Sequence, residues 1–220
     1  MYTLYYHPVC PFSRQVRFVL SEAKIKFNLQ KIEYWKDIDQ ILLMNPAGEI
    51  PILQIDDFTI VDALNIIEFI AKKLELDIFD DDLKINAEIK RLNIWFNNKL
   101  YREVVKIFID EKIIKPQIIN SSPDTDVIRI ARKNLNAHFQ YFTQLLSKRE
   151  WIAKNNFSSS DIILASHISI LDYLDEINWE NYPEIKQFYS IVKSRPAFKQ
   201  ILEDNITGFT PPNHYLLLDF

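Results

Sequence analysis

A lone cysteine stands where a short apolar strand gives way to a helix. Tyr2-Thr3-Leu4-Tyr5-Tyr6 is rich in β-favouring residues, and Cys10-Pro11-Phe12-Ser13 follows it. Proline carries no N–H, so it costs nothing in the first turn of a helix, where that N–H would have no partner. The spacing therefore predicts a helix over Pro11 to Ala23, with the Cys10 thiol at its N-terminus. Unpaired N–H groups and the helix dipole favour a thiolate there and are expected to lower its pKa. A second proline, Pro51, lies between Ile50 and the apolar run Ile52-Leu53, at the entry to another strand.

The elements between and after these landmarks define an order. Phe27 to Glu33 reads as a second strand and Asp37 to Met44 as a weak helix. Ile52 to Ile55 and Thr59 to Val61, split by Asp56-Asp57-Phe58, read as a hairpin. Ala63, Ile66, Ile67, Ile70, Ala71 and Leu74 recur at helical spacing over Asp62 to Leu74. The order β-α-β-α-β-β-α over residues 1–75, with a thiol at a helix start and an X-Pro bond before a strand, describes the thiol-binding face of a thioredoxin-like α/β domain. The acidic stretch Leu76-Asp77-Ile78-Phe79-Asp80-Asp81-Asp82 breaks the pattern, so residues 76–83 read as a linker. Residues 84–205 read as an all-α domain. Its first helix, long or kinked, spans Leu83 to Ile119 and ends near Pro116, a second spans Asp126 to Ser147, and a third begins at Ser158. Ser158 and Asp161 have the spacing of reciprocal caps. Residues 206–220 form an apolar tail.

Bulk properties exclude several classes. The 220 residues hold 30 acidic and 26 basic side chains, a formal net charge of −4, with no basic block. That argues against a nucleic-acid partner. One cysteine rules out an internal disulfide and a two-thiol redox cycle, and fits a reducing compartment. The start lacks the basic and apolar regions of a signal peptide, and no apolar run is long enough to span a bilayer, so the expected location is the cytoplasm without membrane insertion. His7, His138, His167 and His214 fit no ligand spacing, and no metal site is expected.

Asn45-Pro46-Ala47-Gly48-Glu49-Ile50-Pro51, the Ser158-x-x-Asp161 box and Tyr182-Pro183 with Arg195-Pro196-Ala197 resemble the soluble glutathione-transferase superfamily over nearly the whole chain. The resemblance implies a thioredoxin-like domain followed by a helical domain, commonly in a homodimer. It implies that Ile50 offers its backbone to the cysteinyl part of glutathione and that Pro51 is cis. It sets Cys10 as candidate nucleophile, with Ser13 one turn on and Tyr6 as a weaker hydroxyl candidate. Tyr5 and Tyr6 point to opposite faces of their strand, so at most one reaches the thiol site. The Glu-Ser pair that meets the γ-glutamyl end in the family is replaced by Asp62-Ala63. Losing a hydrogen bond to a charged ligand group costs about 1.5–3 kcal/mol, and Asp62 serves equally well as a plain helix cap. Glutathione remains a possible cosubstrate, and no cofactor is required.

The tail does not fit a plain transferase. Pro211-Pro212 forces an extended path, and Tyr215-Leu216-Leu217-Leu218-Asp219-Phe220 crowds apolar side chains at the end. Burying each such side chain is worth about 1.5–3 kcal/mol, so the tail is expected to dock, either on its own helical domain or on a partner. The opening Met1-Tyr2-Thr3-Leu4-Tyr5, the motif Cys10-Pro11-Phe12-Ser13-Arg14 and the ending Pro-Pro-x-His-Tyr-x-x-Leu-Asp-Phe resemble a bacterial cell-division branch of the superfamily, departing from it at Leu217. That resemblance implies binding to filaments of the tubulin-like protein FtsZ, with Trp35, Tyr215, Leu218, Asp219 and Phe220 as candidate contacts. Two readings stay open: an FtsZ-associated division factor with little or no glutathione turnover, and a glutathione-dependent transferase or thiol reductase with Cys10 as nucleophile.

Overall fold

The computed structural model describes residues 1–218. Its first part is a four-stranded mixed sheet in the order β2-β1-β3-β4. Strand β1 (Tyr2–Tyr6) pairs parallel with β2 (Phe27–Lys31) and antiparallel with β3 (Ile52–Ile55), which pairs antiparallel with β4 (Phe58–Val61). The register sets Leu4 opposite Leu53, and Leu53 opposite Ile60. That row is buried and joins the main core. The neighbouring row, Tyr5, Ile52 and Val61, faces the other way and meets a small cluster of Cys10, Ile32, Ile41 and Ile50. Period-two alternation thus divides the sheet into a core face and a thiol face.

Helix α1 (Pro11–Glu22) and α3 (Ala63–Lys73) pack on the core face, while α2 (Ile38–Met44) contributes only Ile41 to the thiol side as a buried residue. The helical part begins with α4 (Leu83–Ile94) and continues without a break through a π-helical stretch, Trp95–Val105, the short α5 (Lys106–Ile109), a second π-helical stretch, Asp110–Ile114, and α6 (Lys115–Ile119). The run spans Leu83 to Ile119, as expected. Pro116 lies within this continuous run, which forgoes one backbone N–H there, and the chain stops at Asn120 with φ +48°. Helices α7 (Thr125–Leu146), α8 (Ser159–Tyr173), α9 (Pro183–Lys193) and α10 (Lys199–Leu202) complete the bundle.

Helix α8 is buried along its whole length and packs against α1, joining the two parts. The reciprocal caps read from the sequence are present. Asp161 accepts from the Ser158 N–H and hydroxyl, both at 2.7 Å, and from the Ile152 N–H at 2.8 Å. The chain has only two glycines, and its helix ends show the consequence. Helices α1, α3 and α8 are each followed by a residue at positive φ, Lys24 (+55°), Glu75 (+52°) and Asp175 (+56°). In each case the next N–H reaches back five residues: Ile25 to Leu20, Leu76 to Ala71, and Glu176 to Leu171, all at 2.9 Å. Glycine ordinarily fills this left-handed position.

Candidate functional site

The sharp turn from β1 into α1 sets Cys10 directly before Pro11, and the Ile50-Pro51 peptide bond is cis, as the resemblance implied. The two meet. The Cys10 thiol donates toward the Ile50 carbonyl at 3.9 Å and is 5 % exposed. Its surroundings overturn the expected thiolate. Burial pushes the thiol above its ordinary pKa. The Ser13 hydroxyl and the N–H groups of Ser13 and Phe12 oppose this, as a helix N-terminus should, but they do not win. The thiol is a neutral donor.

Ser13 is fully buried beside it, and its hydroxyl also accepts weakly from the His7 N–H at 3.4 Å. Tyr6 does not belong to this site. Strand alternation turns it to the core face, where Arg17 lies 5.0 Å over its ring. Tyr5 lies on the thiol face, yet its hydroxyl is occupied by Gln54 at 3.1 Å. Asp62 is exposed at the N-terminus of α3 and accepts from the Asn65 N–H at 3.0 Å, an N-cap bond. Its backbone sits at φ +70°, ψ 126°, a conformation costly for any residue with a Cβ.

Sequence reasoning missed the aromatic walls. Tyr34 packs on the Cys10 cluster, and Phe12 meets Tyr101 edge-on at 4.6 Å, bringing the first π-helical stretch against the thiol side. Burial, with Cys10 as the next influence, raises both phenols. Tyr34 had a local signal, lying next to the Trp35 that was singled out. Tyr101 had none, because only the packing of the two parts brings it here. His7 accepts from the Val9 N–H at 3.1 Å, and burial lowers its pKa to about 3. Trp35 is half-buried with its ring 4.7 Å from His7 and 4.8 Å from Tyr34. Its indole N–H is buried with no hydrogen-bond partner among the described residues.

The tail docks on its own domain. The Tyr173 hydroxyl accepts from the Ile206 N–H at 3.0 Å and donates to the Phe209 carbonyl at 3.2 Å. After Pro212 a 3₁₀ turn over Asn213–Leu216 drives Tyr215 inward. Tyr215 is 0 % exposed, receives Arg14 Nη1 at 3.2 Å and donates to the Ile201 carbonyl at 3.3 Å. It is a core residue and cannot present its ring to a partner. The fully buried Arg14 also reaches the Pro8 carbonyl and Ser169, both at 2.8 Å, so the tail ties α1 to α8. Beyond this anchor, Leu216, Leu217 and Leu218 stand 62 %, 53 % and 44 % exposed. Asp219 and Phe220 lie outside the described residues. No helix among the described residues is long and apolar enough to cross a membrane, and none of their His, Cys, Asp and Glu side chains gather in threes as metal ligands do.

A thioredoxin-type sheet with a cis X-Pro beside a helix-start thiol, followed by a helical bundle, defines a protein class. Residues 9–73 match the glutathione S-transferase N-terminal domain and residues 120–205 the glutathione S-transferase C-terminal domain. The chain belongs to the glutathione-transferase superfamily. Within it, the chain is 33 % identical to FtsZ-localized protein A of Caulobacter vibrioides, covering 99 % of this chain and 98 % of that one. The solved structure of FzlA from C. crescentus superposes with a TM-score of 0.95 at 32 % identity, covering 100 % of this chain and 99 % of that one. A glutathione S-transferase from Rhodospirillum rubrum F11 superposes with a TM-score of 0.94 at 36 % identity, with 100 % of both chains covered.

Proposed function

We propose that this chain is an FtsZ-associated cell-division factor on a transferase scaffold, acting in the cytoplasm by binding FtsZ filaments rather than by turning over glutathione. The observation that carries this reading is the end-to-end likeness to FtsZ-localized protein A. The site chemistry agrees with it. Cys10 is buried, neutral and engaged with a backbone carbonyl, and the residue at the γ-glutamyl position, Asp62, is committed to capping its own helix. Neither glutathione nor any other cofactor is needed.

The exposed Leu216-Leu217-Leu218 run, held on the buried Tyr215 anchor, offers a contact surface for the filament. A homodimer fits a second surface. On α4, Leu83 (83 % exposed), Ala87, Lys90 and Ile94 (53 % exposed) fall on one stripe at helical spacing. Lys90 pairs with Glu68 on α3 at 3.1 Å, which joins that stripe to α3, and on α3 Phe69 meets the exposed Phe58 of β4.

Co-sedimentation with polymerised FtsZ tests the reading, comparing the natural chain with the double variant Leu217→Glu/Leu218→Glu. Point substitutions are preferred to truncation because loss of Tyr215 would strip the core. The natural chain should pellet with polymer and the variant should stay in the supernatant. Failure of the natural chain to pellet, with polymer in the pellet, would overturn the proposal.

The second reading, a glutathione-dependent transferase or thiol reductase, draws support from Cys10 facing Ile50 beside the cis Pro51. It requires saturable glutathione binding and loss of turnover in Cys10→Ala.

A further inference from the structure

Strand β2 stands at one edge of the sheet with its outer side open. Phe27 is partly buried, whereas Asn28, Leu29, Gln30 and Lys31 are all exposed. The register sets Lys31 opposite Tyr6, and the Ile32 N–H bonds the Tyr6 carbonyl at 2.8 Å. In a parallel pair this directs the backbone groups of Asn28, Gln30 and Ile32 toward β1. Those of Phe27, Leu29 and Lys31 therefore point outward, and they have no hydrogen-bond partner among the described residues.

Two features set what this edge accepts. Lys24 and Lys26 precede the strand and Lys31 ends it, all exposed and without an ion-pair partner among the described residues. The acidic side chains nearest in sequence are engaged elsewhere, Glu22 with Arg195 at 2.6 Å and Glu33 with Lys36 at 2.7 Å. The second feature is apolar. The buried row of Leu4, Leu53 and Ile60 continues to Leu29, which lies opposite Leu4 yet is 40 % exposed. The row thus ends uncovered at the edge.

We propose that the β2 edge is a docking site for an extended segment of a partner protein, apolar at its centre and acidic at both ends, which joins the sheet as a fifth strand. Its main chain pairs with the outward groups of Leu29 and Lys31, and an apolar side chain covers Leu29. Its carboxylates meet Lys24 and Lys26 at one end and Lys31 at the other. A second copy of this chain does not fit, because pairing two β2 edges would gather the lysines of both copies along one seam. The α4 stripe assigned above to the homodimer adjoins α3 and β4, at the opposite edge of the sheet, and leaves the β2 edge open.

A fluorescein-labelled peptide, Glu-Glu-Val-Thr-Val-Glu-Glu, titrated by anisotropy into the full chain at low salt tests the proposal. Saturable binding is expected that weakens as salt is raised, because exposed charges are screened. Amide hydrogen exchange followed by NMR reads the pairing itself: saturating peptide should slow exchange at Leu29 and Lys31, whose N–H groups are unpaired in the free chain. The double variant Lys26→Gln/Lys31→Gln should bind about five-fold more weakly or worse. Its thermal midpoint should remain near that of the natural chain, as both side chains are exposed. The same peptide with lysines in place of glutamates should not bind. No saturable binding by the natural chain, binding without protection of Leu29 and Lys31, or equal binding by the double variant would overturn the proposal.

Discussion

The Cys10 thiol and the Ile50 carbonyl face each other across 3.9 Å, donor to acceptor. In this arrangement the group that resembles a nucleophile completes the packing of the sheet's thiol face, with Ile32, Ile41 and Ile52 around it. A helix N-terminus normally favours a thiolate, but here desolvation is the larger effect.

Tyr215 is the keystone of the tail. Replacing it with Phe removes the hydroxyl that Arg14 donates to and leaves that guanidinium buried with one partner fewer. Urea unfolding of Tyr215→Phe should show a loss of about 1–3 kcal/mol. Tyr215→Ala adds a cavity beside Tyr173, whose ring is 5.0 Å away, and should lose about 3–5 kcal/mol.

Asp62 combines a useful side chain with an unfavourable backbone. Asp62→Ala removes the bond to the Asn65 N–H and keeps a Cβ at φ +70°, so it should cost about 1–2 kcal/mol. Asp62→Gly loses the same bond but relaxes the backbone, and should stay within about 0.5 kcal/mol of the natural chain. Thermal unfolding of the two variants side by side checks the order.

Lys24 offers the opposite case, a position where glycine should help. It follows α1 at φ +55°, and a left-handed conformation costs a non-glycine residue about 1–2 kcal/mol. Lys24→Gly should therefore raise stability by about 1 kcal/mol in urea unfolding, after the extra flexibility of the unfolded glycine is offset.

Stability should fall with acid well before the carboxylates titrate. His7 and His167 are buried, and burial lowers each to about 3, against about 6.5 when unfolded. Between these values the unfolded chain binds more protons. Stability is therefore full above about pH 6.5 and lost as pH falls toward 3. His138 is lowered as well and adds the same sign. Asp161, raised by burial to about 6, works the other way: its contribution is present below the ordinary carboxylate value and lost as pH rises through 6. One carboxyl against two strongly shifted imidazoles leaves a net loss of about 2–3 kcal/mol between pH 7.5 and pH 5. Urea midpoints at the two pH values measure it, and His167→Gln should shrink the difference.

Local signals carried the fold a long way. Pro11 marked the start of α1, alternation marked the strands, and the Ser158–Asp161 spacing marked the caps of α8, because each is a property of a few adjacent residues. The site was less legible, because its energetics depend on residues far apart in the chain. Helix position alone predicted a thiolate, whereas Tyr34, Ile41 and Tyr101 arrive from three other segments to desolvate it. The parity of Tyr5 and Tyr6 was readable, but which of them faced the thiol depended on how β1 pairs with β3. The greasy tail announced that it would dock. That Tyr215 would seat on Arg14, and so divide the tail into a buried anchor and an exposed leucine run, required the packing of α1 against α8.

The central structural claim is that Cys10 is a neutral scaffold thiol, and its alkylation rate with iodoacetamide as a function of pH tests this most directly. The folded chain should react slowly at neutral pH, with a rate that rises only above the ordinary thiol range, while the urea-unfolded chain reacts as a free thiol. A rapid reaction at pH 7 in the folded state, levelling off below the ordinary thiol pKa, would show a stabilised thiolate and contradict the account.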